Sequence, residues 1–247
     1  AMFGRGKNRL RGAKASFQDV LTALPYRQPV RFDPGQPDIL THQLKHGDYL
    51  AGVGTDSLGS AIAIMKKFRD WASVRASTTL LRKIEAVCPD ILFDLEQKLS
   101  FTSNLVEYSL SFMDWAQKAL QAVEDAQAAG DSERTAKAVM TLISGFASYI
   151  SQVGSYFHDF QSYFGKGIYD RYRENLNTLS NDDRRAIHAF YAHFEVAVAS
   201  MARIYQQEIP AIGRTGEIPA PFVIKWAVSL VGSIQKLYTS ALDLLQR

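Results

Sequence analysis

Cysteine is nearly absent from this sequence. The single thiol, Cys88, excludes an internal disulfide framework and any zinc site built from several thiolates. Proline is scarce as well, and clustered. Four of the eight prolines (Pro25, Pro29, Pro34, Pro37) lie near the start, three (Pro210, Pro219, Pro221) lie near the end, and Pro89 stands alone between them. A long stretch so poor in proline, with little period-two alternation, argues against a β-rich domain and for helix. The first residues lack the apolar run of a secretory signal peptide, so a cytoplasmic compartment is the expectation, possible membrane association and a secreted effector being the alternatives. Ala1 ahead of Met2 reads as an added residue. The chain stops just after its last apolar stripe, which also fits a piece of a longer protein.

Catalytic signatures are missing too. A P-loop needs glycine five residues before Gly165-Lys166, where Phe160 stands. Gly52-Val53-Gly54 lacks the third glycine of a dinucleotide fingerprint. Thr55-Asp56-Ser57-Leu58-Gly59 lacks the first glycine of a nucleophile elbow, so Ser57 reads as a helix cap. No glutamate precedes a histidine by three, which removes the helical di-metal pattern. Asp38, His42 and His46 could share a helix face, but they read as ordinary surface groups. Cys88 reads as a quiet thiol. No cofactor or metal is called for, and no enzyme.

What remains is a globular composition: 47% hydrophobic and 21% charged residues are enough to build a core and too apolar for wholesale disorder. The net charge of +3 conceals an asymmetry. Residues 1–35 hold seven basic residues against Asp19 and Asp33, a net +5, leaving −2 elsewhere. Arg5, Lys7, Arg9, Arg11 and Lys14 lie in a stretch punctuated by glycine and proline, which reads as a flexible basic arm over residues 1–37. Residues 38–247 read as one helical domain.

Within it, a first long helix is expected from Asp56 or Ser57 to about Val87, made basic by Lys66, Lys67, Arg69 and Arg75. Pro89 kinks or restarts it. A second, from about Asp90 to Ala129, carries Leu105, Tyr108, Phe112, Trp115, Ala119 and Val123 at alternating spacings of three and four, and ends at Gly130. A third is expected from about Ser132 to Asn177, on the order of 70 Å if continuous, with Gly165 and Gly167 as possible breaks. Ile143, Phe146, Ile150, Val153, Phe157, Phe160 and Phe164 mark its buried stripe. Such a stripe is core before it is a ring-binding groove. Thr141, Ser144, Ser148, Ser151, Ser155 and Ser162 repeat at the same spacing about 200° away. No Asp, Glu, Lys or Arg occurs from Ala138 through His158, so this hydroxyl flank predicts close approach by another helix, with Ser144, Ser148, Ser151 and Ser155 at its centre. A fourth helix starts at Ser180 and ends before Pro210. A fifth spans about Phe222 to Gln246.

The fold class predicted is therefore all-α: an elongated up-and-down bundle of about five long antiparallel helices behind a flexible basic arm. The function it suggests is a non-catalytic scaffold or interaction protein. Such a chain would pair with itself, as a homo-oligomer, or with a helical protein partner, and would dock peripherally on an anionic membrane through its basic arm and first long helix. Nucleic acid would suit the same charges, but no reading motif is present. The alternative is a secreted helical effector or pore-forming toxin whose segment 138–158 inserts on a trigger. An enzyme with an unfamiliar site between helices ranks below both.

Overall fold

A computed structural model describes residues 75–247, save Thr215 and Glu217, together with Ala15, Ser16, Phe32, Pro34, Gly59 and Ala63. The protein is all-α. Extended structure among the described residues is a short antiparallel pairing of β1 (Ala15–Ser16) with β2 (Arg75–Ala76) and a bridge at Ile218. The helices are α1 (Thr79–Val87), α2 (Pro89–Ala128), α3 (Ser132–Phe160), α4 (Ile168–Tyr172), α5 (Asn181–Arg203), α6 (Ile209–Gly213) and α7 (Ala220–Leu245).

The centre of the molecule is α2. It packs against α1, α3, α4 and α7, and nearly every residue from Asp94 to Val106 is buried whichever side of the helix it occupies. Pro89 starts this helix, at a position where its missing N–H would have no partner anyway. Gly130, at φ 69°, ends the run in the left-handed region that suits glycine. The Asp131 side chain then accepts from the Arg134 N–H at 3.0 Å and opens α3.

That tight turn folds α3 back along α2. Phe112 meets Phe146, Tyr108 stacks on Tyr149, and Phe101 meets Phe160, so residue numbers fall on one helix as they rise on the other. The expected stripe from Ile143 to Phe160 is buried throughout, and Phe164 is half-buried against the same core. Gly145 lies against the Trp115 ring, where a β-carbon would collide with it. Helices α5 and α7 are likewise antiparallel: Trp226 Nε1 donates to Glu208 at one end, and Arg247 faces Asp183 at the other. Val223, Trp226, Leu230, Ile234, Leu237, Ala241 and Leu244 form a buried stripe along α7.

Three expected boundaries are corrected. The first long helix does not run unbroken to Val87: Arg75–Ala76 is extended and α1 begins at Thr79. Most of its upstream part lies outside the described residues, although Gly59 and Ala63 are helical. The third helix stops at Phe160, giving 29 residues or about 44 Å, not about 70 Å. A 3-10 turn over Gln161–Tyr163 and two glycines with positive φ, Gly165 and Gly167, break it. The fourth helical run does not end before Pro210. It continues through a π turn (Ile204–Glu208) into α6, because widening the register accommodates a residue that cannot donate and that crowds the preceding turn.

Two segments of the expected arm touch the helical body. Ala15 and Ser16 pair with β2, and Phe32 is half-buried against Tyr108, Phe112 and Trp115, its amide donating to Ser111 Oγ at 2.9 Å.

Between α2 and α3, Ser109 donates to the Leu105 carbonyl at 2.6 Å. Its oxygen is also 2.7 Å from the buried Tyr149 hydroxyl. Ser109 has one proton, so Tyr149 is the donor of the second bond. Burial holds the Tyr149 hydroxyl well above its ordinary value, which keeps that donor protonated. Ser109→Ala should therefore strand the Tyr149 hydroxyl at a cost of about 1–3 kcal/mol, whereas Ser109→Ala combined with Tyr149→Phe should recover most of the loss. Urea unfolding of the set measures both.

Candidate functional site

A concavity lies where α2, the end of α3, α4 and α5 meet, with a volume of about 500 Å³. Its walls are aromatic and aliphatic: Phe157, Phe164, Ile168, Tyr169, Tyr191, Phe194 and Val198. The Gly165-Lys166-Gly167 turn forms one lip, and Gln161, Asp170, Glu195 and Gln206 stand exposed around the opening. The break in the third helix makes this space. A continuous helix would carry Phe164 and Ile168 onward in a straight line, and the glycine turn instead folds α4 back against α2.

Two charges lie at the floor. Asp94 and Lys98 are one turn apart on α2, with Lys98 Nζ 2.7 Å from Asp94 Oδ1. Both are almost fully buried, their side chains 9% and 5% exposed for Lys98 and Asp94 respectively. Asp94 Oδ2 accepts from the Tyr191 hydroxyl at 2.8 Å. The Lys98 ammonium also lies 5.6 Å from the Tyr191 ring centroid and 5.4 Å from that of Phe194, within cation–π range. Tyr169 stacks on Tyr191 at 4.3 Å and 14°, and its hydroxyl is 3.1 Å from His188 Nδ1. Burial, then the Asp94 charge and the bond donated to it, hold the Tyr191 phenol well above its ordinary value, so Tyr191 remains a donor at neutral pH.

A buried ion pair is a poor way to gain stability, because removing two charges from water costs about as much as their attraction returns. One that faces a cavity has another use: it presents a fixed dipole to whatever enters.

Comparison of the chain with protein-family models, with curated proteins and with solved structures yields no match. The functional reading therefore rests on the molecule's own geometry. Among the described residues, no group of three or more His, Cys, Asp or Glu side chains is placed to hold a metal. Cys88 is buried, with Asn175 Nδ2 3.9 Å from its sulfur. His188 and His193 are exposed on α5.

The candidate interface and polyanion-binding residues that the structure describes do not line this cavity. Arg75 is exposed in β2. Arg5, Lys7, Arg9, Arg11, Lys14, Lys66, Lys67 and Arg69 lie outside the described residues, as do Asp38, His42, His46 and Ser57. On α3, Ser144, Ser148 and Ser151 are half-buried, while Ser155, like Thr141 and Ser162, is exposed. Tyr108 reaches across to the Ser148 carbonyl at 3.4 Å. No helix among the described residues is long and apolar enough to cross a membrane. The segment 138–158 instead buries Leu142, Ile143, Phe146, Tyr149, Ile150, Val153, Tyr156 and Phe157.

Sequence reasoning missed Asp94, Lys98 and Tyr191. A signal was present: Ile91, Leu92, Leu95, Leu99, Phe101, Leu105 and Val106 share about half the circumference of α2, and Asp94 and Lys98 fall inside that arc. An apolar stripe of a helix faces the core, and charges placed within it are buried with it.

A further polar group on α2 titrates near neutrality. Glu96 is buried, and neither its Oε2 nor the Ser100 hydroxyl one turn on hydrogen-bonds to a described residue. Burial, reinforced by the nearby Glu85 charge, raises the Glu96 carboxyl from 4.5 to about 7. Between those two values the folded chain holds a proton that the unfolded chain has released, so stability falls as pH rises through the window. Glu96→Gln should match the parent near pH 4.5 and exceed it by about 3 kcal/mol at pH 8. Chemical denaturation at both pH values checks this, and a constant difference between them would remove the assignment.

Proposed function

We propose that this protein is a non-catalytic helical binding protein whose inter-helix cavity takes a small, largely apolar molecule. The carrying observation is the cavity of about 500 Å³ with five aromatic rings on its walls and the Asp94–Lys98–Tyr191 group at its floor. That volume falls in the range of small-molecule sites, about 300–1,000 Å³, and the mix of apolar wall with few converging polar groups is their usual make-up. Its floor holds an acid–base pair already joined and a neutral tyrosine. This supports holding a ligand more than transforming it.

The supporting frame in this reading is an up-and-down bundle of long antiparallel helices, preceded in the chain by the basic stretch of residues 1–37. Titration with 2-naphthylmethanol, followed by its fluorescence, tests the binding reading. The parent should bind saturably, and Val198→Trp, which fills the cavity from α5, should abolish binding. Failure of the parent to bind, or equal binding by both, removes the proposal.

A second function is supported by the charge pattern. With +5 on residues 1–35 and an exposed Arg75 beside the β1–β2 pairing, peripheral docking on an anionic membrane and self-association fit the same chain. Co-sedimentation should then favour anionic over neutral vesicles and weaken as salt is raised, and a solution mass should exceed that of one chain. Equal partition between the two vesicle types removes the membrane part.

A further inference from the structure

We infer that the ligand of this cavity is an amphiphile with a single polar head, its ring-bearing hydrocarbon end on the floor and its head at the mouth. The inference rests on the binding reading above and adds the ligand's class and orientation. The floor has little to offer a polar group. Lys98 Nζ donates to Asp94 Oδ1, lies over the rings of Tyr191 and Phe194, and engages a further partner. Asp94 Oδ2 already accepts the Tyr191 proton. Asp94, Lys98 and Tyr191 are all buried, so the floor meets the cavity chiefly through its rings. A charged group of either sign would lie as close to its like in the ion pair as to its opposite, and neither sign gains. A hydroxyl driven to the floor would leave water for groups that already have partners, and a hydrogen bond left unmade in a dry site is costly. Hydrocarbon loses nothing there.

The mouth differs. Gln161, where α3 passes into its 3-10 turn, and Gln206, in the π turn that follows α5, both stand exposed at the opening. Each amide carries donors and an acceptor, which suits a hydroxyl or amide head. Lys166, Asp170 and Glu195 add charge of both signs at the same rim. Solvent screens all three, so the rim sets no sign for the head. One wall joins the two ends. Phe194, Val198, Ala202 and Gln206 all line the cavity and recur every four residues, running from ring to amide along about 18 Å of helix.

Three probes that share a naphthalene test the assignment on the full chain at pH 7. The reference is (6-ethylnaphthalen-2-yl)methanol. The diol 2,6-naphthalenedimethanol has nearly the same shape, with a hydroxyl at each end. The third probe is the ether of the reference with triethylene glycol, which extends the head by a flexible polar tail. The parent should bind the diol at least about tenfold more weakly than the reference, because one hydroxyl must go to the floor. It should bind the tailed ether within about threefold of the reference, since the tail leaves through the mouth. Tyr191→Phe removes the proton that Asp94 Oδ2 accepts and so opens an acceptor to the second hydroxyl. In that variant the diol's deficit should shrink at least about threefold. A smaller deficit for the diol on the parent, a tailed ether weaker than this, or a deficit unchanged in Tyr191→Phe overturns the inference while the cavity reading stands. If no probe binds the parent, both fall. Should Tyr191→Phe not fold, the ranking of the three probes on the parent decides.

Discussion

Lys98→Met is expected to lower folding stability by about 3–5 kcal/mol, because it leaves the Asp94 carboxylate buried without its counter-charge. Asp94→Ala should cost a similar amount from the other side, and it also strands the Tyr191 hydroxyl. The informative result is the pair. With Asp94→Leu and Lys98→Met together, an apolar contact replaces the ion pair, and buried pairs replaced in this way are commonly neutral or gain stability. The double variant should therefore unfold at or near the parent's urea midpoint, although each single variant unfolds far below it. Such non-additivity is what a double-mutant cycle reads as coupling. If the single variants lose less than about 1 kcal/mol, the two charges are hydrated and the cavity floor is not dry. If the double variant is as damaged as the singles, the pair contributes to the fold itself, and its role at the cavity loses its main support.

Phe112→Ala is the second large effect. The ring is fully buried, 4.6 Å from Tyr149, 5.3 Å from Phe146 and 4.9 Å from Phe32, and it packs beside Trp115. Removing it opens a hole lined by rings that cannot collapse into it, which should cost about 3–5 kcal/mol. Phe32→Ala should cost clearly less, since that ring is half-buried at the edge of the same cluster. Combining the two should be less than additive, because Phe32 loses its main contact once Phe112 is gone. Urea unfolding of the four chains measures this. A loss under about 1 kcal/mol at Phe112 would mean that the cluster is loosely packed.

Both predictions concern α2, and they differ in how far the sequence foretold them. Phe112 belongs to the stripe of three- and four-residue spacings from Leu105 to Val123, so its burial was readable from periodicity. Asp94 and Lys98 carried only their place within the apolar arc of α2. At a separation of four they resemble any solvent-facing helix pair, such as the exposed Glu133 and Lys137 on α3. The difference is that α1, α3, α4 and α7 surround α2, and a helix sequence does not state how many neighbours it has. The hydroxyl flank of α3 shows the same limit. Its spacing is real, but within this chain Ser144, Ser148 and Ser151 are half-buried and Ser155 faces solvent.

Helix identity, most helix ends and the buried stripes follow from the residues alone. Capping, glycine at φ > 0 and 3.6-residue periodicity act within a few positions, and Ser180, Asp131, Gly130 and the α7 stripe follow them. Where α3 breaks, how the chain passes Pro210, which charges are buried, and the cavity itself were decided by packing. Tyr191 and Asp94 lie 97 positions apart, and only the docking of α5 and α4 onto α2 brings a phenol, a carboxylate and an ammonium to one floor. Local rules carry no information across such a distance, because the free energy that joins these groups comes from surfaces removed from water together.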